Sequence, residues 1–178
     1  MRIASMWPAW AFGILVVAAT VLTILVIRPN MEMRGAVASL AILQPLAVPH
    51  DTRGDDPDAP IRRQAIAAYA ERDYRKAETL LIAEVKARSA DADALLLLGS
   101  SLLLSGRPAE SREPLQAAGR LASSPRVREE ALWQQAQASL LLGRRVEASA
   151  FLQEVANTGA THQDEARAQL AKLASGFR

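Results

Sequence analysis

The 178-residue chain contains no cysteine. That excludes a disulfide framework, thiolate catalysis, a lipid carried on an N-terminal cysteine and zinc held by CxxC pairs. Aromatic residues make up only 4% of the chain, which favours helix over sheet when alanine, leucine, glutamate and arginine dominate the remainder. Acidic residues are nearly absent before Asp51, with Glu32 alone there; beyond it both signs are mixed. No block of basic residues with interleaved aromatics occurs, so nucleic acid is not an expected partner despite a pI of 9.4. Constellations that carry catalysis are also missing: there is no HExxH, GxSxG or GxxxxGK[ST]. The carboxylate pairs Asp55-Asp56, Glu129-Glu130 and Asp164-Glu165 lie in a loop or at helix starts, where they favour the helix dipole. His50 and His162 stand alone and are expected to be solvated. The chain is therefore expected to be no enzyme, with no catalytic, cofactor-binding or metal-binding residue and no small-molecule substrate.

One long apolar run is present. From Ala9 to Ile27 every residue is apolar or small except Thr20 and Thr23, and nineteen residues at about 1.5 Å each approach the ~30 Å hydrocarbon thickness of a bilayer. Trp7 and Trp10 sit at one edge, where indole favours the interface, and Arg28-Pro29 stop the run at the other. The nearest small-x-small cleavage site, Ala36-Val37-Ala38, lies beyond Arg28, Glu32 and Arg34, so an uncleaved single-pass anchor is expected rather than a signal peptide. Residues 1–8 form a short tail and 9–27 the transmembrane helix in contact with lipid. The soluble domain is expected on the extracytoplasmic side, in the periplasm of a Gram-negative source.

Residues 28–60 read as a linker. Within it, the run Val37–Val48 is apolar but too short to span a bilayer and is broken by Pro45. Its plain reading is a short element covering the edge of the next domain. The stretch PHDTRGDDPDAP from Pro49 to Pro60 is turn-laden.

From Ile61 onward, amphipathic stretches of about a dozen residues alternate with breaks at Arg72-Asp73, Ser89–Asp93, Ser105–Pro108, Ser123–Arg126, Gly143-Arg144 and Asn157–Thr161. Ser89 or Asp91 caps the helix that follows, Gly106 takes the left-handed conformation that ends it, and Pro108 opens the next. Aligning the breaks superposes DYRKA (73–77), RPAES (107–111) and RRVEA (144–148). Ala77 and Ser111 are 34 residues apart, Ser111 and Ala148 37. In the middle unit, LLLLGSSLLLSGRPAESREPL, the residues Leu95, Leu98, Gly99, Leu102, Gly106, Ser111 and Leu115 fall in the large and small places of the tetratricopeptide repeat, which the chain resembles over about Ile61–Leu173. The first unit has Arg72 where the family usually has glycine, and Gln64 where it has leucine; the third has Gln135 at a core leucine position.

The resemblance implies an all-α fold: a transmembrane helix followed, over residues 61–178, by a short tetratricopeptide-like α-solenoid of about three helix pairs and a C-terminal capping helix. In that cap Ala166, Leu170 and Leu173 share one face, with Glu165, Arg167, Gln169 and Lys172 elsewhere. By the same resemblance, the first helix of each unit lines a concave binding groove. The groove residues are then Arg62, Ile66 and Tyr69, followed by Leu96, Ser100 and Leu103, and by Trp133, Gln137 and Leu140. The plainer alternative is that these apolar residues are core between units. An apolar groove needs a cover in a soluble domain, and Val37–Val48, just upstream, is expected to fold back over it or over its first-unit edge. The expected role is a membrane-anchored adaptor or scaffold that binds a protein or peptide partner; the alternative is a structural subunit of a cell-envelope complex that uses its transmembrane helix for assembly. The C-terminal pattern ALWQQAQASLLLGRRVEASAFLQEV is also similar to repeats of bacterial membrane proteins that pair with sigma factors, but those carry a cysteine-histidine zinc module that this chain lacks.

Overall fold

A computed structural model describes residues 34–47, 60–87, 91–158 and 161–176. The expected span over residues 9–27, the tail before it and the linker residues 48–59 lie outside them. The described residues are all-helical, without a strand. No helix among them is long and apolar enough to cross a membrane. After a single helical turn within 34–38 come α1 (Pro60–Ala70), α2 (Tyr74–Ala87), α3 (Ala92–Leu104), α4 (Pro108–Leu121), α5 (Pro125–Leu141), α6 (Arg145–Thr158) and α7 (Gln163–Ala174).

Local chemistry places these ends. Asp91 caps α3, its carboxylate accepting from the N–H groups of Asp93 and Ala94 at 3.0 Å, so two of the orphan donors of that helix start are satisfied. Pro108 and Pro125 occupy first turns, where a missing N–H costs nothing. Three helices end in the same way. Arg72, Gly106 and Gly143 have φ of 62°, 77° and 68°. In each case the next residue's N–H reaches back five residues, Asp73 to Ala68, Arg107 to Leu102 and Arg144 to Ser139, at 2.8–2.9 Å. This six-to-one bond defines the Schellman ending. The three left-handed residues are 34 and 37 positions apart, so the repeat seen in sequence recurs in backbone geometry. Arg72 adopts the left-handed conformation that glycine takes in the other two.

Packing follows chain order: each helix lies against the next, and α3 also touches α5. Ala77, Ser111 and Ala148, the small residues of the repeat, are all completely buried. At Gly99 the approach is tightest, since an added Cβ would lie 2.5 Å from Cγ and Cδ2 of Leu115. One apolar cluster joins α1, α2 and α3 through Ala65, Tyr69, Leu81 and Leu98. A second joins α3, α4 and α5 through Leu96, Leu115 and Ala131. A third joins α5, α6 and α7 through Trp133, Leu140, Leu152 and Leu173.

Residues 34–47 lie across this stack. Val37, 1% exposed, belongs to the third cluster, and Leu40, Ala41 and Ile42 pack against it. Leu46 packs against the first and second clusters instead. The segment therefore runs from the last helices of the chain back to the first, as a strap. The fold-back expected of Val37–Val48 is present as far as Ala47; Val48 lies outside the described residues.

Candidate protein-binding face

Polar side chains link α1 to α3 and α5 to α7, and residues 34–47 run across both pairs. Tyr69 Oη on α1 and Ser100 Oγ on α3 share a 2.7 Å hydrogen bond. Gln137 on α5 and Gln169 on α7 form a reciprocal amide pair, each Nε2 donating to the other's Oε1 at 3.1 Å. A paired amide keeps one free N–H and one free lone pair on each side chain, and the strap uses them. Gln137 Oε1 also accepts the N–H of Ile42, and Gln169 Nε2 also donates to the carbonyl of Leu40, both at 2.8 Å. Further along, Tyr69 Oη accepts the N–H of Leu46 at 2.9 Å.

Residues 40, 42 and 46 are all even-numbered. In an extended chain, alternate residues turn their main-chain polar groups to the same side, with a period of two. The C=O of residue 40 and the N–H of residue 42 are the pair that a neighbouring strand would satisfy. The Gln137–Gln169 pair stands where that strand would be, so the face recognises backbone without contributing any. Arg126, at the start of α5, approaches the Ala47 carbonyl at 3.4 Å from the other parity.

The strap is held at its two ends. At one end Arg34 closes over Gly143, where a Cβ would meet Arg34 Cγ at 2.6 Å and Cα at 3.1 Å. Between Ile42 and Leu46 the residues Leu43, Gln44 and Pro45 are exposed. Val37 is the only residue of 34–47 that is fully buried.

Electrostatics adjust two of these groups. Burial pushes the Tyr69 hydroxyl above its ordinary value, against the opposing pull of its Ser100 and Leu46 hydrogen bonds. It stays neutral and free to donate and accept. Next to the strap's Val37 end, His162 stacks on Trp133 with ring centroids 4.6 Å apart and planes 4° from parallel. Its Nε2 lies 3.0 Å from Glu130 Oε2, and its backbone N–H is accepted by Glu129 at 3.1 Å. The Glu130 bond raises the imidazole's affinity for its proton, although burial opposes this.

Of the expected groove residues, Tyr69 and Gln137 bind the strap's backbone directly. Ser100 supports Tyr69, and Trp133 and Leu140 share the cluster that takes Val37. Ile66 borders the cluster that receives one side of Leu46, and Leu96 is in the cluster that receives the other. Leu103 is buried, 3% exposed. Arg62 does not join them: its guanidinium holds Asp91 in a bidentate pair at 2.5 and 3.1 Å. That pair ties α1 to the cap of α3. With the N–H groups of Ala94 and Asp93 it draws the Asp91 carboxyl below the usual carboxylate range, overcoming the burial that would raise it.

Two residues differ from expectation. Gln169 is 2% exposed and central to the strap contact rather than solvated. His162 is also largely enclosed, its side chain 13% exposed against Trp133; His50 lies outside the described residues. The repeat did not mark Gln169, because its 32-residue spacing from Gln137 falls off the 34- and 37-residue periods. No group of three or more His, Cys, Asp or Glu side chains able to hold a metal ion occurs among the described residues. No family model matches the chain, and neither a curated protein nor a solved structure matches it.

Proposed function

We propose that the chain is a membrane-anchored, tetratricopeptide-like adaptor that holds a protein partner at the extracytoplasmic face of a membrane. The tetratricopeptide reading is supported by the repeated left-handed helix endings 34 and 37 residues apart, the buried small residues at Ala77, Ser111 and Ala148, and the close crossing at Gly99. The anchor reading is supported by the apolar run over residues 9–27 with its tryptophan edge. One observation carries the binding role: the face of α1, α3, α5 and α7 already holds a length of polypeptide by its main chain, through Gln137, Gln169 and Tyr69.

The absence of native cysteine makes the location directly testable. Single cysteines at Ser5 and Ser175, labelled in intact cells with a membrane-impermeant maleimide, should react at position 175 alone. Reaction at position 5 alone would place the helical domain in the cytoplasm and overturn the extracytoplasmic reading. Exchanging residues 9–27 for an unrelated span should leave a partner's photo-crosslinks to the helical domain intact. Their loss would instead mark the chain as a subunit that assembles through its membrane helix.

A further inference from the structure

We propose that residues 34–47 are a displaceable occupant of the α1–α3–α5–α7 face, and that the same face takes in trans a peptide that is uncharged and apolar across the register of residues 40–46 and presents its main chain as they do. This deepens the adaptor reading by naming the class of its ligand and the competitor it must displace.

The argument begins with how the strap is held. Its polar contacts with the face go to main-chain groups, at Leu40, Ile42, Leu46 and Ala47. Such contacts specify a conformation and a register rather than a sequence. Side-chain selection comes from the apolar places that receive Val37, Leu40, Ile42 and Leu46. The groups that meet the backbone across residues 40 to 46 are two amides and a phenol, none of them charged. A charged ligand would lose hydration over this stretch without gaining a partner. The ligand is therefore neutral across at least the Leu40–Leu46 register.

Displaceability follows from burial. A single fully buried residue, Val37, and an exposed centre at Leu43–Pro45 leave most of the strap only partly withdrawn from water. Segments of that kind open at a small fraction of the free energy of global unfolding. The glutamine pair gives the emptied face a resting state as well. Gln137 and Gln169 bond to each other whether or not a strand lies across them, so release of the strap leaves each side chain still donating one bond and accepting one.

The test uses the full chain in lipid nanodiscs and a fluorescein-labelled synthetic peptide of residues 34–47 as probe. V37D/L46D, which weakens the strap at both ends, should bind the peptide at least ten-fold tighter than the unmodified chain. N-methylation of the peptide at Ile42 should then weaken binding about ten-fold, because it removes the hydrogen that Gln137 accepts. N-methylation at Leu43, of the opposite parity, should change it less than two-fold. Should V37D/L46D fold poorly, L46C supplies a second measurement: its thiol should be alkylated several-fold faster when excess unlabelled peptide is present. If a helical V37D/L46D chain binds the peptide no better than the unmodified one, or if both N-methyl peptides behave alike, the proposal fails. It fails too if V37D/L46D merely changes oligomeric state, since the strap would then serve a second copy. None of these failures touches the maleimide result, and a cytoplasmic location would leave the peptide result standing.

Discussion

Helices α3 and α5 are both buried along most of their length, yet they are built from different side chains. In α3 the buried set is seven leucine and alanine residues with Gly99, Ser100 and Ser101; in α5 it includes Gln134, Gln135 and Gln137 among alanines and Trp133. A leucine-rich helix is held by area, at about 25 cal/mol per Å² of apolar surface removed from water. A buried glutamine gains little from area and is tolerable only when its amide is bonded. Gln135 reaches the carbonyls of Ala131 at 3.2 Å and Leu115 at 3.5 Å, and Gln137 reaches Gln169 and Ile42. The comparison separates two tasks. Leucine in α3 closes the helix stack, whereas glutamine in α5 leaves directional groups where another chain segment must lie.

The largest effect should come from breaking the leucine side of that comparison. Leu102 is 6% exposed in the cluster of α1, α2 and α3. Leu102→Ala should cost about 2–5 kcal/mol, the range for a buried leucine truncated without full collapse of its surroundings. A urea titration followed by helical circular dichroism reads this as a lower midpoint with an unchanged slope. A loss under 1 kcal/mol would mean that α3 is not held by area.

The glutamine side should respond differently. Gln137→Leu strands the Ile42 N–H and one amide of Gln169, and leaving such groups unbonded costs about 1–3 kcal/mol. Adding Gln169→Leu removes the amide stranded by the first change but frees the Leu40 carbonyl, so the double variant should lose less than the sum of the two single losses. Its strap, however, should open more often, which hydrogen exchange at the Ile42 amide would show. Additive losses from the two substitutions would contradict the reciprocal pairing. No such compensation is open to Leu102, whose contribution has no partner that could be removed with it.

A smaller and opposite change is expected at the helix ends. Arg72 holds a φ of 62° that Gly106 and Gly143 adopt without a Cβ. The left-handed conformation costs an L-residue about 1–2 kcal/mol, while glycine's extra freedom in the unfolded chain offsets about 0.4–1 kcal/mol of the relief. Arg72→Gly should therefore stabilise the domain by up to about 1 kcal/mol, read as a higher thermal midpoint. Gly143→Ala should lose more than Gly106→Ala, because only at Gly143 does the new Cβ also meet the strap at Arg34.

The helices and their ends were legible in the sequence because their causes are local. Asp91, Gly106, Pro108 and Gly143 act within a few residues of themselves, and each does what its side chain dictates. The strap was legible from composition, since an apolar run too short for a membrane needs somewhere to go. What escaped was pairing across the stack. Arg62 looked available to a ligand, but its partner Asp91 is 29 residues away and was already accounted for as a cap. Gln169 read as a solvent-facing position because periodicity treats every amide as polar. Only its bonds to Gln137 and to the Leu40 carbonyl, made across the stack, make its burial tolerable.

The smallest effect concerns His162, beside the glutamine-bearing half of the stack. Its hydrogen bond to Glu130 raises its proton affinity in the folded chain above the ordinary value of 6.5, with Glu165 and Glu129 adding to the pull. A folded pKa above the unfolded one means that the proton favours the fold. That contribution is complete below about pH 6.5 and is lost as pH rises through the folded value. Glu130→Gln should flatten this slope between pH 5.5 and 8.5, and the difference between the two chains isolates His162 from other titrating groups. Trp133 reports the same event from the other face of the imidazole, because a protonated ring stacked at 4.6 Å alters indole emission. The measurement is made with Trp7→Phe and Trp10→Phe, which leave Trp133 as the sole tryptophan. Emission that titrates equally with and without Glu130 would show that the stack, and not the ion pair, sets the proton affinity of His162.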